Sequence, residues 1–286
     1  MESKKKYKQG VAVPFWLEQS LKLIESISPK LGMRVAAYIF SKPFKFKLPE
    51  KELKALAFCQ EVLVAVPDIN ETIMCFEWKN KGEKVLLAHG WSGRGTQLYA
   101  IAENLHKKGY HVVSFDAPAH GKSTGKITNM LQWIAAIKML NIHYGGFDIF
   151  IGHSLGGMAI LKFCEQPTNA KKIITIGSGD LMRTIFDNFI NAIGLKFETS
   201  QRMKTYFQNK YKVKINEYDA SYVVKKQQTP TLIIHDEDDR DIDINCALNI
   251  HKHHPNSTLM ITSGLGHRRI LRDEKVIHKI MSFIQA

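Results

Sequence analysis

In 286 residues the chain has no apolar run approaching about 18 residues, which excludes a bilayer-spanning helix. It is poor in cysteine. The four present, Cys59, Cys75, Cys164 and Cys246, are widely spaced and predict reduced thiols in a cytoplasmic setting rather than a disulfide framework. A secretion signal is not expected either. The start, residues 1–10, is basic, but Pro14, Glu18, Lys22 and Glu25 break the apolar core such a signal needs. Acidic residues are the scarcer charge, 27 against 40 Lys and Arg, giving a net charge of +13. No nucleic-acid motif accompanies that excess, so it reads as a solvated basic surface and no nucleic-acid partner is expected. No internal repeat or low-complexity segment appears beyond the Lys-rich start.

The length can bury a full core as one large domain or one with an insertion. Residues 1–58 read as a helical lead-in. Trp16, Leu17, Leu21, Ile24 and Ile27 recur at helical spacing, Pro29 interrupts, and a second run covers 31–40. This segment reads as packing on the main domain or joining a substrate lid; a basic membrane-surface helix is the other reading. No stable membrane insertion is expected. Residues 61–66 and 71–78 are β-rich runs around Pro67-Asp68-Ile69-Asn70 and predict a hairpin. Apolar strands are then expected at 84–89, 111–115, 147–151, 172–176, 230–234 and 258–262. Helices are expected at 96–108, 129–143, 244–253 and 274–284. Alternation of this kind predicts an α/β fold, with a mostly parallel sheet and helices on both faces. It breaks at 181–225, where helical stripes without a buried strand predict a small helical cap. The core is thereby assigned to 59–180 and 226–286.

The chemistry centres on Gly152-His153-Ser154-Leu155-Gly156-Gly157, between an apolar strand and an apolar helix. Such a turn crowds the backbone, so its flanks must be small. It lifts one serine clear of the sheet at a helix N-terminus, where it can act as a nucleophile beside backbone N–H groups. His153 is expected to point away from the site. A serine nucleophile needs a base and an orienting acid. Asp236, Glu237, Asp238, Asp239 and Asp241 follow one strand; Gly264-Leu265-Gly266-His267 follows the next.

These residues resemble the α/β-hydrolase fold family over the chain from about Glu61 onward. The motifs are His89-Gly90-Trp91, Asp116-Ala117-Pro118-Ala119-His120-Gly121-Lys122-Ser123, Gly152 to Gly157, His235-Asp236-Glu237-Asp238-Asp239 and Gly266-His267. The resemblance implies an eight-stranded sheet. It also implies a triad of Ser154, Asp239 and His267, with an oxyanion hole from the N–H groups of Trp91 and Leu155. Against the family's His-Gly-x-x-Asp-x-x-Val pattern, Asp236 takes the glycine place and Ile242 the valine place. Asp180 is the rival acid; its other reading is an N-cap of the first cap helix. His89 is expected to support its loop.

The function expected is a serine hydrolase cleaving a carboxylic ester or related acyl bond of a small-molecule substrate, with no cofactor and no metal. An acyltransferase or thioesterase would use the same triad, and a non-catalytic ligand-binding member of the fold is the alternative of a different class. Gly121-Lys122-Ser123 is no phosphate loop, because Asp116 stands where that motif needs glycine. His251, His253 and His254 lack ligand-spaced partners for a metal. Oligomeric state is not expressed in the sequence.

Overall fold

The apolar runs become the centre of one twisted sheet in a computed structural model that describes residues 14–286. The basic stretch 1–10 lies outside the described residues. The strands are β1 (Gln60–Val66), β2 (Glu71–Trp78), β3 (Lys84–Ala88), β4 (His111–Phe115), β5 (Ile149–His153), β6 (Lys172–Ile176), β7 (Thr231–Asp236) and β8 (Ser257–Thr262). Their order is β1-β2-β4-β3-β5-β6-β7-β8. β1 pairs with β2 and β2 with β4 in antiparallel sense; every later pair is parallel. The central strands carry apolar side chains on both faces because helices cover both.

The helices are α1 (Phe15–Ile27), α2 (Pro29–Ser41), α3 (Glu50–Leu56), α4 (Tyr99–Lys107), α5 (Met130–His143), α6 (Leu155–Phe163), α7 (Met182–Ala192), α8 (Phe197–Tyr211), α9 (Ala220–Val223), α10 (Ile244–His253), α11 (Gly266–Arg269) and α12 (Glu274–Gln285). Pro29 does not merely interrupt the lead-in. It is the first residue of α2, where its missing N–H costs nothing, and the Ser28 hydroxyl caps the helix by accepting from the Leu31 N–H. α3 was not anticipated; its seven residues are too short to show a period.

Two hydrophobic clusters lie on opposite faces of the sheet, one around Trp133 and Phe150, the other around Trp78, Leu98 and Ile280. A third cluster joins the lead-in to the segment after β6. Leu21, Met33 and Ala36 pack with Phe186, Ile190, Met203 and Phe207. The ring of Phe40 at the end of α2 touches Phe186 (4.8 Å), Phe189 (5.0 Å) and Trp91 (6.5 Å). Among the described residues no helix is long and apolar enough to cross a membrane.

Candidate active site

Parallel strands direct their carboxyl ends to one edge, and β3, β5, β6, β7 and β8 bring the singled-out residues there. Ser154 stands between β5 and α6 with φ of 53°, a strained conformation for a residue with a Cβ. Tight packing holds the strain. A methyl group at Gly152 would lie 2.6 Å from the Gly156 backbone, and one at Gly156 would lie 2.3 Å from the His89 carbonyl oxygen. A methyl at Gly90 would lie 2.8 Å from Ser154 Cβ, so the loop after β3 reaches the serine only because residue 90 is glycine.

The Asp239 carboxylate and the His267 ring meet at 2.7 Å between Oδ2 and Nδ1. The other oxygen, Oδ1, accepts the N–H groups of Asp241 (2.8 Å) and Ile242 (3.0 Å). Burial pushes the Asp239 carboxyl up, but the hydrogen bonds from His267 and from these amides outweigh it and hold the group below its usual range. The end of β6 joins this pair to the serine. The Ser154 N–H donates to the Ile176 carbonyl (2.9 Å), and a methyl at Gly177 would lie 3.2 Å from His267 Nδ1.

Asp180 stays away from the histidine. Its carboxylate accepts from the Ser221 N–H (2.7 Å) and the Asn249 amide (2.5 Å). It therefore caps α9 rather than α7, whose Met182 N–H goes to Asp219 (2.7 Å). Trp91 lies in the loop after β3 and Leu155 is the first residue of α6, directly after Ser154; among the described residues their N–H groups make no hydrogen bond.

Two arrangements were not read from the sequence. His153 was expected to point away, yet its ring packs on the His267 ring (centroids 4.5 Å apart), and its Nε2 donates to the His267 carbonyl (2.9 Å). Burial drives the His153 pKa well below the usual value, so the ring is neutral. Asp236, at the family's glycine place, clamps the loop carrying His267. It accepts from the N–H groups of Gly266 (2.8 Å), Leu265 (3.1 Å) and Asp238 (3.1 Å) and from the Thr262 hydroxyl (2.7 Å). Burial raises this carboxyl, and the four donors more than offset it, so it stays ionised. An acid in place of glycine was the only signal for this role.

His89 sits under the site as a loop support. Its Nδ1 donates to the Gly90 carbonyl (2.7 Å), and its Nε2 accepts the Ala117 N–H (3.0 Å). His120 does likewise between the Pro118 carbonyl and the Ser92 N–H, each at 3.0 Å. Burial lowers both, His120 to about 4. Gly121, Lys122 and Ser123 form the turn that packs on Asp116, with the Lys122 N–H on Asp116 (2.7 Å). His251, His253 and His254 diverge to separate partners, Ser257, Asn249 and Thr231.

A neutral buried histidine has a pH signature. The unfolded His120 titrates near about 6.5, so its contribution is intact above that pH and is lost as pH falls toward the folded value of about 4. The full loss is on the order of 3 kcal/mol. Asp219, pushed up to about 6 by burial, works in the opposite direction over the same window. The measurement is therefore comparative: urea unfolding of wild type and His120→Gln from pH 7 to pH 4. The variant should show the shallower decline; equal slopes would contradict the assignment.

The sheet order and the serine elbow define the α/β-hydrolase fold. A family model described as alpha/beta hydrolase fold matches residues 84–193. The chain is 24% identical to a monoglyceride lipase homolog of monkeypox virus, over 76% of this chain and 94% of that protein. It is also 24% identical to (E)-2-((N-methylformamido)methylene)succinate hydrolase of Acinetobacter baylyi, over 70% of this chain and 82% of that protein. Among solved structures, an esterase of Pyrococcus furiosus superposes with a TM-score of 0.65 at 19% identity, covering 86% of this chain and 97% of that one. The chain has the α/β-hydrolase fold, and the proteins it resembles in sequence are a lipase homolog and a hydrolase.

Proposed function

We propose that the chain is a serine hydrolase cleaving a carboxylic ester or related acyl bond through an acyl-enzyme. The observation that carries the reading is the Asp239–His267 hydrogen bond held against the same β6 end that anchors the strained Ser154. The Ser154 hydroxyl attacks the acyl carbonyl while His267 Nε2 takes its proton. Asp239 fixes the Nδ1–H tautomer and stabilises the imidazolium. The N–H groups of Trp91 and Leu155 receive the oxyanion; having no partner among the described residues suits them to that role. The proton then passes to the leaving alcohol, and water reverses the sequence. This chemistry needs no metal or cofactor. The lipase homolog and the succinate hydrolase that the chain resembles support hydrolysis, and the four free thiols suit a reducing, cytoplasmic setting. An acyl acceptor other than water would make the same triad an acyltransferase. A chain that binds without turnover would belong to the non-catalytic alternative.

The substrate reading comes from what lies over Trp91. α1 and α2 act with residues 181–225 as one cap. Its aromatic side chains Phe40, Phe186 and Phe207 turn inward, while Arg183, Lys196, Arg202, Lys210 and Lys212 are exposed. An apolar ceiling favours neutral acyl chains of small to medium size. A neutral butyrate ester of p-nitrophenol should turn over faster than the matched dicarboxylate half-ester, with little dependence on salt. Faster, salt-sensitive turnover of the anionic ester would overturn this preference.

The Asp236 clamp gives a further expectation. Asp236→Ala frees the loop bearing His267 and should lower kcat on the order of 10²-fold, the scale set by small misplacement of a reacting group. Asp236→Asn should not restore it, because its amide would face the N–H groups of Leu265 or Gly266. Asp238→Ala, which removes an exposed contact to Gly264, is the control. Equal kcat in all three variants would remove Asp236 from the account.

A further inference from the structure

α1 packs Leu21 into the third cluster, yet its outer side is apolar as well. It buries a carboxylate, Glu25, which accepts from the Thr199 hydroxyl and the Lys196 N–H. It exposes Trp16 (68%), Leu23 (61%) and Ile27 (75%), which fall within an arc of about 40° at 3.6 residues per turn. α2 continues this outer surface with Leu31 and Tyr38, interleaved with exposed Lys30 and Arg34. The two helices approach closely, since a methyl at Gly32 would lie 2.9 Å from Glu25 Cα. Among the described residues, eleven of the eighteen exposed large apolar side chains lie between residues 15 and 63, so the exposure is concentrated in this part of the chain.

Charge selects the occupant. Residues 14–58 carry eight Lys and Arg against four Glu. Two of those acids, Glu25 and Glu52, are buried, the latter against Thr96 and Arg94. Of the basic side chains on the hairpin, Lys22 pairs with Glu18, and Lys30 and Arg34 lie exposed among the apolar ones, so the outward surface is apolar with a net basic charge. A second copy would bring the same patch against itself and set Lys30 and Arg34 against like charge. A bilayer of anionic lipid complements both features at once: Trp and Leu at the headgroup boundary and basic side chains among the phosphates.

We propose that the outer face of the α1–α2 hairpin docks reversibly on anionic lipid bilayers. The reading stands apart from the hydrolase assignment, since binding is measured without turnover. α2 also supplies Phe40 to the ceiling over Trp91, so the docked face and the candidate site share one helix.

The test is co-sedimentation of the full chain with vesicles of phosphatidylglycerol and phosphatidylcholine, and with phosphatidylcholine alone. The protein should pellet with the anionic vesicles, release at high salt, and leave the neutral ones largely unbound. Tryptophan emission should shift to the blue on binding in the wild type and not in W16F, which separates the exposed Trp16 from the partly exposed Trp91; Trp78 and Trp133 are buried. The triple variant W16S/L23S/I27S should lose at least about tenfold in partitioning, which the loss of roughly two buried methylene equivalents already produces. K30E/R34E should weaken the anionic binding independently and covers the case in which the triple variant does not fold. Equal binding by wild type and both variants, or equal binding to neutral vesicles, would overturn the proposal. So would a wild-type dimer in analytical ultracentrifugation that the triple variant abolishes.

Discussion

Ser154→Ala should lower turnover of an acyl ester on the order of 10⁴-fold or more, with the melting transition essentially unchanged. Both halves follow from the elbow. The serine hydroxyl caps no helix, so removing it breaks no bond of the scaffold. The strained backbone at φ 53° is held by the close approach of Gly152, Gly156 and Gly90, none of which depends on the hydroxyl. Steady-state kinetics on p-nitrophenyl esters together with thermal unfolding check it. Wild-type turnover in the variant would place the nucleophile elsewhere.

Asp239→Asn should also cost on the order of 10⁴-fold in kcat. Asp239 Oδ1 is committed to the N–H groups of Asp241 and Ile242, so an asparagine keeps its oxygen there and turns its amide NH₂ toward His267 Nδ1. The ring must then accept at Nδ1, carry its proton on Nε2, and cease to be a base toward Ser154. Asp180→Asn should leave kcat nearly unchanged and lower stability instead, because Asp180 holds Ser221 and Asn249. The reverse pattern would assign the acid to the end of β6.

Much of this was legible in the chain itself. β3 to β7 appear as apolar runs because both faces of a parallel sheet are covered, and the small residues around Ser154 appear because the turn admits nothing larger. Features that depend on which loops meet in space were not legible. Asp236 reads as one of five acids in a short run, and only folding shows that its oxygens gather N–H groups from the loop after β8. The caps of α7 and α9 come from Asp219 and Asp180 in crossed fashion, which no local pattern encodes. His153 reaches His267 through a ring contact spanning more than a hundred residues of chain. Glu25 is the sharpest case. Its place among Leu21, Ile24 and Ile27 marks a helix, but not that the acid turns inward while Ile27 turns out.

The most direct test of the central claim is the site of covalent capture by a fluorophosphonate, followed by peptide mapping of the modified protein. One adduct, on the peptide containing Ser154 and absent from Ser154→Ala, is the result expected of a serine activated by His267. An adduct on another residue, or undiminished labelling of Ser154→Ala, would contradict it.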